Sequence, residues 1–145
     1  MPANFNPIFT LTPDVSDNLT TGFGGVMTTA AADWTGISAN YQLIHTAGSN
    51  GSYIRRLRFK ALGPTNNVAS VARIFINNGS VNTTATNNTF YGELSLPATT
   101  GIATAATVDL DYPMEFQLNP QFRIYVGLGT TVATGWVCTA IAAQY

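Results

Sequence analysis

The chain has 145 residues, of which six are Lys or Arg and seven are Asp or Glu. That is 9% charged, against roughly 25% in an ordinary soluble domain, and the net charge of −1 excludes nucleic acid as the main partner. The length suffices for one domain with a core that needs neither disulfide nor metal; no run approaches the roughly 20 apolar residues of a membrane helix, so no membrane partner is expected.

The first 24 residues space Pro2, Pro7 and Pro13 among Phe5, Ile8, Phe9 and Leu11. Prolines at that density forbid a central strand and favour an extended N-terminal arm. Apolar side chains on such an arm are unfavourable in water, so its destination is a groove on a neighbour or an edge of its own sandwich. The opening Met-Pro-Ala-Asn-Phe-Asn-Pro lacks the basic start and apolar run of a signal peptide, and the expectation is synthesis in the cytoplasm. Residues 25–145 read as one β-domain.

Within it, short apolar runs recur between turn dipeptides with no sustained helical period. A weak strand is predicted at 26–31 and firmer ones at 41–46 and 53–62, where Leu57, Phe59 and Ala61 share one face and Arg56, Arg58 and Lys60 the other. The turn Gly63-Pro64-Thr65-Asn66-Asn67 leads to a strand at 68–76 that is apolar on both faces. Ala72, Ile74 and Ile76 can face the core, while Val71 and Phe75 need cover from a subunit or the arm. After the Asn-rich stretch 81–88, residues 90–96 alternate and stop at Pro97; residues 98–107 read as a surface loop. Residues 108–119 alternate with period two, with Pro113 predicted at an edge or bulge and dividing the run. The link Asn119-Pro120-Gln121 predicts a hairpin with a strand at 122–128, and the last apolar run is 135–143. About eight strands in one domain predict an all-β, jelly-roll-like antiparallel sandwich, with an immunoglobulin-like sandwich as the competitor.

No catalytic constellation, cofactor motif or metal-ligand set is read from the sequence, and no enzyme is expected. His45 is the single histidine, and Ser49 and Ser52 occupy a Gly-Ser-Asn-Gly-Ser loop without the strand-to-helix elbow of a serine hydrolase. Cys138 has no basic neighbour in sequence to activate it. Asp109, Asp111 and Glu115 form an acidic stripe on a strand face, without the wrapping loop of a calcium site. Arg55, Arg56, Arg58 and Lys60 hold four of the six positive charges. This cluster either clamps a partner or pairs with the acidic stripe across the sheet.

In place of charge, the chain carries 21 Thr, 18 Ala, 13 Asn and 13 Gly. A surface of that kind repels itself little and hydrogen-bonds without desolvating ions, which suits permanent assemblies.

The segments Y-I-R-R-L-R-F-K-A-L-G from Tyr53, V-A-R-I-F-I-N-N-G from Val71, L-P-A-T-T-G-I-A-T-A-A-T-V from Leu96 and G-W-V-C-T-A-I-A-A-Q-Y from Gly135 resemble small virion proteins of tailed bacteriophages. The resemblance covers about two thirds of the chain and leaves out the N-terminal 40 residues. It implies a capsid decoration, or cement, protein: a jelly-roll body, a homo-oligomer with a trimer favoured, bound to the major capsid protein on the capsid exterior where capsomers meet. Phe5, Ile8, Phe9 and Leu11 of the arm, with Arg55, Arg56, Arg58 and Lys60, are the expected partner-binding residues. The alternative is a receptor-binding or fibre-head module of the same fold that takes a host surface carbohydrate through Trp34, Trp136 or Tyr91.

Overall fold

The computed structural model describes residue 10, residues 12–17 and residues 26–145. Eight strands follow in order: β1 Thr12–Asp17, β2 Gln42–Thr46, β3 Ser52–Ala61, β4 Ser70–Asn77, β5 Asn88–Leu96, β6 Asp109–Leu118, β7 Arg123–Leu128 and β8 Trp136–Gln144. Among the described residues the one helical turn is the 3-10 helix Ala85–Asn87, and no helix is long and apolar enough to cross a membrane.

The strands form two four-stranded sheets, β1-β8-β3-β6 and β2-β7-β4-β5. Every pairing is antiparallel: β1 with β8, β2 with β7, β3 with β6 and β4 with β5, joined within the sheets by β3 with β8 and β4 with β7. The first four strands thus pair with the last four in reverse order, which is the wiring of a jelly roll. Strand β1 lies within the span read as an arm. It is an edge strand, the place where a proline such as Pro13 is tolerated because one side of its backbone faces no partner.

The alternation read from the sequence decides which side chains meet between the sheets. On β3, Ile54, Leu57, Phe59 and Ala61 are buried and Arg58 is exposed. The change of phase between Ile54 and Leu57 is a bulge at Arg55, where the register with both β6 and β8 shifts. Pro113 does not divide β6; it sits at the same irregularity on this edge strand, opposite Arg56. Fully buried Trp136, Phe59, Ile44, Ile54, Leu57, Ile74, Leu96, Ile124 and Leu128 fill the core. Each such side chain contributes roughly 1.5–3 kcal/mol before ordering costs are subtracted.

One expectation is corrected here. The runs read as a hairpin, β6 and β7, lie in different sheets. The bend at 119–122, closed by Phe122 N–H donating to the Asn119 carbonyl at 3.1 Å, carries the chain from one sheet to the other, because both strands have apolar faces that must close over the same core. On the outer face of β4, Phe75 packs in a second cluster with Ala31, Tyr41 and Tyr125 of its own chain, while Val71 borders an open cleft. Residues 26–41 fold back over the second sheet to supply this cover. The weak strand read at 26–31 is reduced to isolated bridges, Met27 with Trp136 and Ala30 with Leu128.

The cover is close-fitting. Tyr41 meets Phe75 edge to face at 5.0 Å, and its hydroxyl donates to the Asp33 carbonyl at 2.7 Å. Burial pushes the Tyr41 phenol up to about 12. Beneath it, Gly127 leaves the space that the ring and Ala31 occupy: a Cβ there would lie 2.6 Å from Tyr41 Cδ1 and 2.8 Å from Ala31 Cβ.

At one end of the sandwich, buried Asn67 ties three loops together. Its backbone exchanges hydrogen bonds with Thr99, its Oδ1 accepts from the Thr134 and Gly135 amides at 2.8 and 3.1 Å, and its Nδ2 donates to the Gly135 carbonyl at 3.2 Å.

Gly127→Ala should therefore cost about 1–3 kcal/mol in urea unfolding, through overpacking against Tyr41. Gly129→Ala, whose new Cβ would meet nothing closer than 3.5 Å, should stay within about 0.5 kcal/mol of wild type.

Candidate functional site

The most connected polar group lies between the sheets at the β1–β2 side. His45 of β2 is fully buried, and so is Ser52 of β3. The His45 Nε2 is 2.9 Å from Ser52 Oγ, and its Nδ1 is 3.5 Å from Asp14 Oδ2 of β1. From β8, the Gln144 amide donates to Asp14 Oδ2 at 2.6 Å and accepts the Gly48 N–H at 2.7 Å. These are the residue types of a hydrolase triad, but only the His45–Ser52 separation is that of a relay; 3.5 Å between His45 and Asp14 is a looser contact. Ser52, with no surface exposed, has no room for a carbonyl group to approach. The group acts instead as a clasp, joining the edge strand β1 to β2 of the opposite sheet and to the C-terminal strand.

The sequence shows His45 and Ser52 but not this arrangement, because Asp14 and Gln144 lie far from them along the chain and neither stands in a motif. Burial pushes the imidazole below its ordinary pKa, opposed by the attraction of the Asp14 carboxylate.

The basic strand is largely neutralised from within. Arg58 forks onto Asp109, with Nε donating to Oδ1 at 2.8 Å and Nη2 to Oδ2. The Arg58 hydrogen bond holds the Asp109 carboxyl below its usual range, and Asp109 raises Arg58 in turn. Arg56 Nη1 lies 3.2 Å from Asp111 Oδ2, and Lys60 Nζ donates to the Thr107 carbonyl at 2.8 Å. The register places Arg58 opposite Asp111 and Lys60 opposite Asp109, so the acidic stripe and the basic stripe are neighbours on one outer face. Arg55, on the bulge, is exposed and makes no ion pair among the described residues. The register sets it at the bulge opposite exposed Glu115, without an ion pair between them.

The outer face of the second sheet carries aromatics. Trp34 is 56% exposed and Phe90 42%, and their rings meet edge to face at 5.7 Å. Arg73 of β4 lies flat on Trp34, its Cζ 3.8 Å from the ring centroid. Tyr91 lies instead at the open side between β5 and β6, against Tyr112 and Phe116. Burial raises the Tyr112 phenol.

Of the aromatics expected to meet a carbohydrate, Trp136 is fully buried. Its place at the start of β8, bridged to Met27, turns it into the core, as the period-two phase of that strand requires. Phe5, Ile8, Phe9 and Leu11 lie outside the described residues. Cys138 is fully buried in the core. Among the described residues no three His, Cys, Asp or Glu side chains converge as metal ligands.

The chain matches no protein-family model, and no curated protein is significantly similar to it.

The clasp has a pH signature. The unfolded chain takes up a proton on His45 near pH 6.5 whereas the folded chain resists it, so stability is undiminished above about pH 6.5 and falls as the pH drops below that value. Denaturant unfolding between pH 7.5 and 5 should show this fall, with a slope of at most about 1.4 kcal/mol per pH unit from this group. His45→Gln should be less stable at neutral pH and should lose that part of the slope.

Proposed function

We propose that the protein is a structural virion protein that decorates the exterior of a phage capsid, binding the major capsid protein and reinforcing contacts between capsomers. The observation that carries this reading is the placement of β1. The segment leading into it is the proline-spaced run with Phe5, Ile8, Phe9 and Leu11, and β1 is itself hydrogen-bonded along its length to β8 and clasped through Asp14 to both sheets. Whatever the preceding residues grip is thereby linked to the whole sandwich, as an anchoring protein requires.

Three further features support it. The eight-stranded jelly roll fits the resemblance of the chain to phage virion proteins. The surface is rich in Thr and Asn, and much of its sparse charge is paired internally, which favours close apposition to a neighbour without desolvating ions. Arg55 offers an unengaged guanidinium beside that neutralised face, suited to a carboxylate on the capsid. Assembly as a trimer belongs to the same reading. Phe75 does not bear on it, since Ala31, Tyr41 and Tyr125 cover that ring; Tyr91, Tyr112 and Phe116 on the open β5–β6 side offer a surface for it.

Mixing the purified protein with empty capsids and measuring occupancy by image reconstruction tests the proposal. Removing residues 1–11 should keep β1 and the melting temperature yet weaken attachment by at least about tenfold, the equivalent of roughly one buried apolar side chain. Arg55→Glu should weaken attachment and Arg58→Ala should leave it unchanged, because Arg58 is spent on Asp109. A full-length chain that fails to coat capsids overturns the reading.

A further inference from the structure

The outer face of the β2-β7-β4-β5 sheet holds an exposed tryptophan in an unusually well-fixed setting. The loop bearing Trp34 is organised by Asp33, whose Oδ1 accepts from the Thr35 amide at 2.8 Å, the Thr35 hydroxyl at 2.9 Å and the Ile37 amide at 3.1 Å, and whose Oδ2 accepts from the Ser38 amide at 2.9 Å. Burial alone would raise the Asp33 carboxyl, but these hydrogen bonds outweigh it and hold the group below its usual value. The ionised carboxylate is the common acceptor of these loop amides. The indole rests on the Arg73 guanidinium, which is fixed in turn by Glu93 Oε1 and the Ala31 carbonyl, each at 3.2 Å.

Arg73 also forms one wall of an open cleft of about 300 Å³ lined by Ser70, Val71, Gly129 and Thr130. Its Nη2 points along the sheet toward Gly129, 3.5 Å from where a Cβ on that glycine would sit. Arg73 thus borders this open cleft while carrying the Trp34 ring on its guanidinium and the Glu93 carboxylate at its Nε.

We propose that Trp34, Arg73, Glu93 and this cleft form a saccharide-binding site. The open part of the indole takes the apolar C–H face of a pyranose ring, while Glu93, Arg73 and Thr130 exchange hydrogen bonds with its hydroxyls. Two features favour a sugar over other occupants. The Arg73–Glu93 pair cancels its own charge, so the site suits a neutral ligand rich in hydroxyls more than an ion. The large apolar side chains exposed on this loop and on β5 beside it are Trp34, Ile37 and Phe90, a plate for one ring rather than the apolar centre of a protein interface. Because the loop is already ordered, a small ligand binds without the cost of ordering it.

The two tryptophans make the test direct, since Trp136 is fully buried and Trp34 more than half exposed. Acrylamide quenching of the soluble full-length protein then reports on Trp34, and the probes are maltotriose, lactose and chitotriose. At least one should shield Trp34, with a Kd of about 1 mM or weaker. By saturation-transfer NMR, Trp34→Ala should bind that sugar at least about tenfold more weakly at an unchanged melting temperature. Thr130→Trp, which fills the cleft from an exposed position, should weaken binding with the indole intact. Absence of shielding by all three sugars, or equal binding by Trp34→Ala, overturns the proposal. So does shielding that grows with protein concentration alone, which would make this face a contact between copies. No capsid enters the experiment, so its outcome is independent of the decoration reading.

Discussion

The insertion of β8 between β1 and β3 is the interaction on which the rest of the structure depends. It completes the first sheet along nearly its whole length and turns Trp136, Cys138, Ala140 and Ala142 into the core. It gives the N-terminal edge strand its sheet partner, and it sends Gln144 to Asp14 and to the Gly48 amide. The small side chains at 140 and 142 leave room between the sheets for the large ones on the facing strands. The last strand in the chain is therefore central, and the sheet cannot close until the C-terminal residues are in place. Pairings so non-local fold more slowly than local ones.

That closure makes the clasp possible. His45 and Asp14 belong to different sheets and meet because β1 is laid against β8 on the side where β2 edges the other sheet. The imidazole between a hydroxyl and a carboxylate gives buried His45 and Ser52 polar partners, and a buried polar group left unpaired would be costly. The same residue types in an open cleft would be read as a nucleophile and its base. Burial alone separates the two meanings.

The two outer faces take different solutions. On the first sheet, Arg56 and Arg58 of β3 pair with Asp111 and Asp109 of β6, leaving Arg55 and Glu115 as exposed charges without an ion pair among the described residues. On the second, the chain supplies its own cover from residues 26–41, and the cover stops short, so that Trp34 and Phe90 stay exposed above buried Phe75.

The sequence by itself determined the class of fold and most of the strands. Alternation with period two identifies a strand and its inward face wherever one side is dry, as in β3 and β6, and the turn-rich stretches between them mark the loops. It also placed the acidic and basic stripes on outward faces, because both follow from the phase of a single strand. Tertiary structure alone decided which strands pair: the short link at 119–122 allows either a hairpin or a crossing between sheets, and the shared core selects the crossing. It decided that Phe75 is covered from within, since the segment that covers it has no periodic signal, and that Trp136 is core while Trp34 is surface. It also brought Asp14 and Gln144 to His45, an encounter between residues at the two ends of the chain that local pattern cannot register, because the contact exists only once both sheets have closed.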